Sequence, residues 1–183
     1  MIYPCTNSGY GVGGDRKICT EESPLKPISL YGKTKVDAEK EYQKTNNYVT
    51  FRLATVFGPA ARMRTDLLVN NFVLKAIRDR LIVLYESEFM RNYVHLQDVC
   101  RAFMFVLDNW EECKNQTYNV GNDSINMNKK QLAEQIQKHM PLEIMHAELT
   151  SDPDKRDYIV SSQKFYDKGF ECKYDLDDGI KQL

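Results

Sequence analysis

The spacing of apolar residues along the chain alternates between a pattern typical of strands and a pattern typical of helices. Residues 1–5 are apolar and strand-like, and residues 48–59 (YVTFRLATVFGP) alternate β-branched and aromatic side chains before Gly-Pro, which predicts one buried strand. Between them, Ser29 is suited to cap a helix over residues 30–44 that ends near Asn46. A strand, a helix and a second strand in this order predict a βαβ unit with parallel strands.

The remainder of the chain continues the same pattern, with no internal repeat and no linker of low complexity. Asp98 is expected to mark the start of the helix that follows the strand-like segment RNYVH. In chain order, the pattern predicts a helix over 66–79, a strand over 81–85, a strand and a helix over 91–110, a strand over 117–122, a helix over 128–140, a strand over 142–149 and a short helix over 161–170 closed by Gly169. The chain is therefore expected to be a continuous α/β protein.

Composition narrows the function classes. The 183 residues are 42% hydrophobic and carry a formal net charge of −1, so the chain can bury a core but has no general field that attracts nucleic acid. No apolar window is long enough for a membrane span, and no signal peptide is visible at residue 1. The five cysteines form no CxxC pair, and the histidines form no ligand cluster, so we expect a cytoplasmic protein without a metal site.

The segment YGKTK, residues 31–35, carries candidate proton chemistry. Tyr31 and Lys35 are four residues apart, and residues at this spacing share one face of a helix. A tyrosine ionises near pH ~10, so its use as a base at neutral pH requires a neighbouring cation that stabilises the phenolate. Thr6 and Ser8, at the end of the first strand, offer hydroxyls for the reacting oxygen. The same spacing also occurs by chance in ordinary surface helices.

The set of motifs around Tyr31 resembles the extended short-chain dehydrogenase/reductases, specifically the NAD-dependent nucleotide-sugar epimerase/dehydratase family. The resemblance spans nearly all of the chain, and Thr6 lies 25 residues before Tyr31, the spacing between the catalytic Ser or Thr and the Tyr in that family. The glycine stretch GVGG, residues 11–14, follows the wrong strand for a phosphate-binding loop and is interpreted as an ordinary loop. The motifs that carry the resemblance are YPCTNSGYG, SLYGKTKVDAE, FRLATVFGP, RNYVHLQDV, TYNVG and DPDKRDYIVSSQKFYDKGFECKYDLDDGI.

The resemblance implies a role for each matched position. It makes Tyr31 the general acid/base, Lys35 the group that stabilises the phenolate and contacts the cofactor ribose, and Thr6 the hydroxyl that holds the substrate oxygen. Tyr31, Lys35 and Thr55 are the expected contacts of NAD, with NADP left open. The expected contacts of a nucleotide-diphosphate sugar are Thr6, Asn71, Arg91 and Arg156. Arginine suits this role because its guanidinium binds phosphate oxygens bidentately, although each arginine would equally serve as a surface ion-pair partner.

The resemblance also implies the organisation of the chain. The fold is expected to be the C-terminal part of an NAD(P)-binding, Rossmann-like extended short-chain dehydrogenase, with a small α/β substrate-binding region. Residues 1–59 would be the remaining part of the dinucleotide-binding domain with the catalytic helix, and residues 60–183 mainly the substrate-binding region, with elements near 89–121 returning to the sheet. A glycine-rich half of on the order of a hundred residues would precede them. A homodimer built partly on the helix of Tyr31 is expected in the intact enzyme.

The reaction implied by these residues is epimerisation through transient oxidation at C4 of the sugar. A C4 dehydrogenase or ketoreductase would use the same triad without the return step, and stays open. A 4,6-dehydratase is disfavoured, because Asn7 and Ser8 stand where dehydratases carry Asp-Glu after the catalytic Thr. A different class of hypothesis is a truncated substrate-binding fragment whose triad is inactive because the cofactor half is missing.

Overall fold

The structure is a computed structural model that describes residues 1–12, 18–147 and 156–183. Part of the GVGG stretch (residues 13–14) and part of the DPDKRDY segment (residues 152–155) lie outside the described residues. Arg156 itself lies within them.

Strands and helices alternate along most of the described chain. The strands are β1 (Ile2–Thr6), β2 (Ile18–Cys19), β3 (Val49–Leu53), β4 (Thr55–Phe57), β5 (Leu81–Leu84), β6 (Met90–His95), β7 (Gln116–Val120), β8 (Asn122–Asn128), β9 (Glu143–His146) and β10 (Ile159–Val160). The helices are α1 (Leu30–Gln43), α2 (Leu68–Asp79), α3 (Leu96–Asp108), α4 (Trp110–Cys113), α5 (Lys129–Gln137), α6 (Gln163–Tyr166) and α7 (Leu176–Gln182). A short 3-10 turn, Asn7–Tyr10, follows β1 directly.

The first sheet contains the predicted βαβ unit. Its strands β1, β3 and β7 are all parallel and lie in the order β1-β3-β7, with α1 as the connection between β1 and β3. The prediction of an α/β fold with parallel strands is confirmed. Because β7 joins this sheet, part of the region after residue 60 returns to the first sheet; the domain division at residues 59 and 60 stays a prediction.

The prediction of a single strand over residues 48–59 is wrong. The segment divides at Ala54, whose backbone N–H donates to the carbonyl of Val120 at 2.9 Å. Strand β3 before it belongs to the first sheet, whereas β4 after it pairs in parallel with β6 in a second sheet that β8 completes in antiparallel fashion. The chain therefore passes from one sheet to the other at Ala54. The unbroken alternation of apolar side chains hides this change of partner.

Helix α3, strand β8 and helix α7 also differ from the sequence predictions. Helix α3 begins after His95, whose Nδ1 accepts the N–H of Gln97 at 3.2 Å, so Asp98 does not cap it. The Asp98 carboxylate instead accepts backbone N–H groups of Lys173 and Tyr174 at 3.0 to 3.1 Å. Strand β8 and helix α7 were not predicted. Strand β8 has few apolar residues. Helix α7 begins with a capping box at Asp175 but is only about two turns long.

Two apolar clusters form most of the described core. One packs α2, α5 and α7 against β5, β6 and β8, with Val69, Ile82 and Leu132 fully buried. The other packs α3 and α6 against β3 and β7 around Phe51 and Phe165. Among the described residues, no helix combines the length and apolar character needed to cross a membrane.

Candidate active site

Helix α1 begins at the site and is held there by its first turn. Ser29 caps the helix, since its Oγ accepts the N–H of Gly32 at 3.1 Å, as the sequence predicted. A Cβ on Gly32 would lie 3.0 Å from Cβ of Pro27 and 3.3 Å from the carbonyl oxygen of Ser8. Glycine at this position therefore lets the first turn of α1 approach the 3-10 turn closely.

The residues predicted to be catalytic share one cavity. It has a volume of about 520 Å³ and lies where β1, the β3–β4 passage and the first turns of α1 meet. Tyr31 and Lys35 both line it, and Tyr31 is 56% exposed. Thr6 lines it from the end of β1 and Thr55 from the start of β4. The segment in which the chain passes from the first sheet to the second, around Ala54, therefore forms part of the cavity wall.

Lys35 is oriented by two contacts with β1. Its Nζ donates to the carbonyl oxygen of Pro4 at 2.9 Å and lies 5.1 Å from the ring centroid of Tyr3. An ammonium group has three hydrogens, so the hydrogen bond to Pro4 leaves donor capacity for a ligand. The amine is therefore fixed against β1, in a residue that lines the same cavity as Tyr31.

A linked set of hydroxyl and guanidinium groups also lines the cavity. The Thr6 Oγ1 hydroxyl donates to Ser8 Oγ at 3.1 Å and accepts the backbone N–H of Ser8 at 3.2 Å. Arg156 Nη1 also donates to Ser8 Oγ. Since Arg156 and Ser8 both line the cavity, the structure brings Arg156 to Ser8, the hydrogen-bond partner of the predicted catalytic Thr6.

The cavity wall is cationic. Lys35, Arg64 and Arg156 line it, and no Asp or Glu is among the described residues of its lining. Arg64 forms a bidentate pair with Asp66, with distances of 2.7 Å and 2.6 Å, and these hydrogen bonds lower the pKa of Asp66 to about 2. A wall of this sign favours a ligand that carries negative charge.

Cys5 lines the same cavity but is not suited to nucleophilic chemistry. Burial, reinforced by the negative charge of Glu39, raises the pKa of its thiol to about 12. A thiol with this pKa stays protonated at neutral pH, and the thiolate is the reactive form. Proton chemistry in the cavity therefore falls to its hydroxyl and amine groups.

The third turn of α1 is fixed by a buried ion pair. Glu39 accepts from Nη2 and Nε of Arg52 at 2.7 Å to 3.2 Å, and both side chains are at most 6% exposed. Arg52 Nη1 donates further to Tyr10 Oη at 3.0 Å, and Tyr10 Oη donates to Asn119 Oδ1 at 2.7 Å. Burial lowers the pKa of Arg52, but the hydrogen bonds and charges of Glu39 and Tyr10 together outweigh burial, and the pKa of Arg52 is raised. This network ties α1 to β3, β7 and the 3-10 turn.

Two predicted substrate contacts lie outside the cavity lining. Arg91 is 3% exposed, donates to the carbonyl of Met90 at 2.9 Å, and lies 5.6 Å from the ring centroid of Tyr158, which does line the cavity. Asn71 donates from Nδ2 to the carbonyl of Thr65 at 3.0 Å on the outer part of α2. Their substrate roles stay predictions.

Three features of the cavity lining were not predicted from the sequence. One is the hydrogen bond between Ser8 and Thr6, and the others are the presence of Arg64 and of Tyr158 in the lining. The loop of Arg64 is held by the buried Asn70, whose Nδ2 donates to the carbonyl of Arg64 at 3.1 Å. The only sequence signal was the presence of an arginine in a polar loop beside the β3–β4 segment.

A larger cavity of about 900 Å³ lies elsewhere, along α5 and β9. Its wall mixes Arg80 and Lys130 with Glu134 and Glu143, and it includes none of the predicted catalytic residues. This cavity is the larger of the two, but the smaller cavity contains the side chains suited to proton transfer, Tyr31, Lys35 and Thr6. Within the described ranges, no group of three or more His, Cys, Asp or Glu side chains is placed to hold a metal ion.

The sequence profile of the family described as "NAD dependent epimerase/dehydratase family" matches residues 1–121, about two thirds of the 183 residues. The chain belongs to this family. The matched residues include Thr6, Tyr31, Lys35 and Thr55, so most of the cavity belongs to the shared part of the family. The resemblance drawn from the sequence motifs is confirmed at the level of the family.

Solved structures show the same fold. UDP-glucose 4-epimerase of Thermus thermophilus, in complex with NAD, is 20% identical with a TM-score of 0.83, over 99% of this chain and 61% of that one. UDP-glucose 4-epimerase of Thermotoga maritima, with UDP-glucose, is 24% identical with a TM-score of 0.82, over 99% and 60%. dTDP-glucose 4,6-dehydratase of Bacillus anthracis, with NAD, is 24% identical with a TM-score of 0.80, over 98% and 58%. The chain thus spans about 60% of the length of these neighbours.

Proposed function

We propose that this chain carries the catalytic and substrate-binding residues of an NAD-dependent nucleotide-sugar epimerase that acts by transient oxidation at C4 of the sugar. The observation that supports this most is the single cavity that contains the Tyr31 phenol, the Lys35 amine and the Thr6 hydroxyl. Its cationic wall suits a nucleotide-diphosphate sugar. Structural neighbours include two UDP-glucose 4-epimerases.

The residues present fit one end of the proposed cofactor. Lys35 Nζ has donor capacity beyond Pro4, and Lys35 lines the same cavity as Tyr31 and Thr55, so these residues would hold the nicotinamide ribose end of the cofactor. When bound, NAD⁺ supplies the acceptor of the hydride from sugar C4 and the source of the hydride that returns to the other face of that carbon. NADP is the alternative with the same chemistry.

Each protein group then has a defined task. Tyr31 Oη, as phenolate, accepts the proton of the C4 hydroxyl while the C4–H bond breaks, and a 4-keto sugar results. Lys35 stabilises the phenolate through its positive charge, and the Thr6 hydroxyl group contributes hydrogen bonding at the reacting oxygen. After the sugar turns, Tyr31 returns the proton to that oxygen. The cationic groups of Arg64 and Arg156 hold the anionic part of the substrate during this turn.

Two alternatives use the same cavity. A C4 dehydrogenase or ketoreductase lacks the return step and would yield net NADH or a 4-keto product. A 4,6-dehydratase is disfavoured, because removal of water across C5 and C6 needs further acid/base groups, and Asn7 and Ser8 beside Thr6 cannot ionise near neutral pH. These products differ in mass or in cofactor state, so one product analysis separates them.

A truncated substrate-binding fragment is the alternative from a different class. It is favoured by the share of the neighbours that the chain spans and by β1, which among the described strands pairs with β3 alone and leaves its other edge open. This hypothesis predicts binding of nucleotide sugar without bound nicotinamide. A homodimer built on α1 and a cytoplasmic location stay predictions.

The test is product analysis with the purified chain. UDP-glucose, UDP-galactose and dTDP-glucose are incubated with NAD⁺ and followed by NMR and by absorbance of NADH. We expect the 4-epimer without net NADH, and a loss of at least about 100-fold in kcat for Tyr31→Phe. Tyr85→Phe, a tyrosine outside the cavity lining, is the matched control. Stoichiometric NAD in the purified chain would exclude the fragment hypothesis; nucleotide-sugar binding without turnover would support it.

A further inference from the structure

Asn70, on the first turn of α2, joins the two ends of the loop that carries Arg64. Its side chain is 4% exposed. Its Oδ1 accepts the backbone N–H of Gly58 at 3.1 Å, and its Nδ2 donates to the carbonyl oxygens of Gly58 at 3.3 Å and of Arg64 at 3.1 Å. The amide oxygen and the amide nitrogen are therefore both bound to the backbone of the loop.

The two ends of this loop have different surroundings. Gly58 has a φ of +113°, and a Cβ there would lie 2.6 Å from Nε2 of the fully buried His95. Arg64, at the other end, lines the active-site cavity with a side chain that is 58% exposed. Its guanidinium pairs with Asp66 in the same loop, so this ion pair does not connect the loop to the core. The contact of Asn70 with the backbone of Arg64 does.

Asn70 is anchored more firmly than the loop that it holds. It follows Val69, which is fully buried in the core between α2 and β5. The neighbouring Asn71 also donates to the loop, at the carbonyl of Thr65, but that contact is exposed. Water competes for an exposed hydrogen bond, whereas loss of Asn70 would remove the acceptor of the buried Gly58 N–H. Asn70 is therefore the contact expected to set the conformation of the loop.

We propose that Asn70 is a positioning residue of the active site, which holds the backbone of Arg64 so that its guanidinium meets the diphosphate of the substrate. This inference rests on the proposed function and adds to it a residue outside the described cavity lining. A guanidinium binds phosphate oxygens through a planar set of donors, so a pre-oriented arginine loses less entropy on binding. The exposed pair with Asp66 is weak enough for a phosphate to replace the carboxylate.

The test is a double-mutant cycle of Asn70→Ala and Arg64→Ala, with UDP-glucose binding measured by isothermal titration calorimetry. We expect each single variant to bind about fivefold more weakly, and the double variant to stay within about twofold of Arg64→Ala, because Asn70 acts through Arg64. In turnover assays, the same variants should raise KM and leave kcat nearly unchanged.

The matched control is Asn128→Ala. Asn128 is a buried asparagine whose Oδ1 accepts the N–H of Gln131 at 2.8 Å, and it lies outside the described cavity lining. We expect this variant to bind UDP-glucose like the wild type. Additive losses in the double variant, unchanged binding in a folded Asn70→Ala variant, or an equal loss in Asn128→Ala would overturn the proposal.

A second variant, Asn70→Asp, separates the two halves of the amide. Its carboxylate still accepts the N–H of Gly58 but has no hydrogen to donate to the carbonyl of Arg64. We expect it to weaken binding at least as much as Asn70→Ala. Thermal melting of each variant identifies losses of binding that come from unfolding, and binding of UDP-glucose like that of the wild type would overturn the proposal.

Hydrogen exchange followed by mass spectrometry tests the same contact without a ligand. Peptides that cover residues 58–67 should exchange faster in Asn70→Ala than in the wild type, because the loop loses its buried link to α2. Equal exchange in the two proteins would overturn the role given to Asn70. Failure of the wild type to bind UDP-glucose or to convert any sugar counts against the proposed function instead, so the two failures are distinguishable.

Discussion

Two parts of helix α1 have opposite environments. The third turn buries Glu39 at 1% exposure against Arg52, where the two charges are paired through several hydrogen bonds. The first two turns present Tyr31 at 56% exposure and Lys35, whose amine donates to the carbonyl of Pro4 and keeps further hydrogens to donate. The third turn is held by a buried ion pair, whereas the first two turns keep hydrogen-bonding capacity for a ligand.

The difference shows how an exposed pair of side chains becomes a site. Breaking a buried ion pair costs much more free energy than breaking an exposed one. The Glu39–Arg52 pair therefore fixes the position and the rotation of α1 relative to β3. Tyr31 and Lys35 then need few contacts of their own to point into the cavity. The hypothesis of an ordinary surface helix explains the exposure of Tyr31 but not its shared cavity with Thr6 and Arg156.

The largest expected effect on stability comes from removing the buried ion pair between Glu39 and Arg52. Glu39→Ala leaves Arg52 buried without its carboxylate, so the free energy of unfolding should fall by about 3–5 kcal/mol. Urea unfolding followed by circular dichroism measures this. Glu41→Ala on the same helix removes an exposed partner of Lys44 and should cost less than about 1 kcal/mol. Equal losses for the two variants would contradict the role given to the buried pair.

A second variant changes the close contact between the first turn of α1 and the 3-10 turn. In Gly32→Ala the new Cβ meets Pro27 at 3.0 Å and the Ser8 carbonyl at 3.3 Å, so the first turn of α1 must shift away from the 3-10 turn. We expect kcat to fall about tenfold, since small displacements of reacting groups are costly, while the urea midpoint changes little. If kcat is unchanged, the close contact at Gly32 does not set the geometry of the site.

The cationic wall is tested by two arginines with similar pairing. Arg64→Ala should raise KM for a nucleotide sugar about fivefold, and the effect should shrink in high salt because the contact is exposed. Arg78 is the matched control: it pairs with Asp79 through the same two atoms, at 2.8 Å and 2.9 Å, but lies outside the cavity. A similar change of KM in Arg78→Ala would show a general charge effect instead of a contact.

The smallest effect concerns pH. Burial lowers the pKa of His95, against the opposing influence of the Asp98 and Asp178 carboxylates. The folded state therefore binds this proton less readily than the unfolded state, whose histidine titrates near pH ~6.5. The associated stability is present above that pH and is lost as the pH falls toward the folded pKa, by less than about 1.4 kcal/mol per pH unit. Urea unfolding of His95→Gln from pH 7 to 5 should show a flatter profile; an identical profile would contradict it.

Local signals were enough for the helix that carries the site. Ser29 predicted the start of α1 and Asn46 its approximate end, and the spacing of four residues placed Tyr31 and Lys35 on one face. The strand before Thr6 was visible from its apolar residues. These features depend on neighbours in sequence, which a pattern can show.

The rest depends on contacts that no local pattern records. The pairing of Ser8 with Arg156 joins residues 148 positions apart, and the Glu39–Arg52 pair joins a helix to a strand. The passage between sheets at Ala54 has no Gly or Pro to mark it, because each half keeps the alternation of a buried strand. Arg91 was chosen by resemblance alone, and its position beside Tyr158 could be seen only in three dimensions.

The central claim is that Tyr31, on the first turn of α1, takes the proton of a C4 hydroxyl while the hydrogen at C4 leaves as hydride. It is tested most directly with a nucleotide-linked glucose deuterated at C4, incubated with the chain and NAD⁺ and analysed by NMR. We predict a 4-epimer that retains deuterium at C4 and forms more slowly than from the undeuterated sugar, and no such product with Tyr31→Phe. Loss of the deuterium to water, or a Tyr31→Phe variant as active as the wild type, would contradict the account.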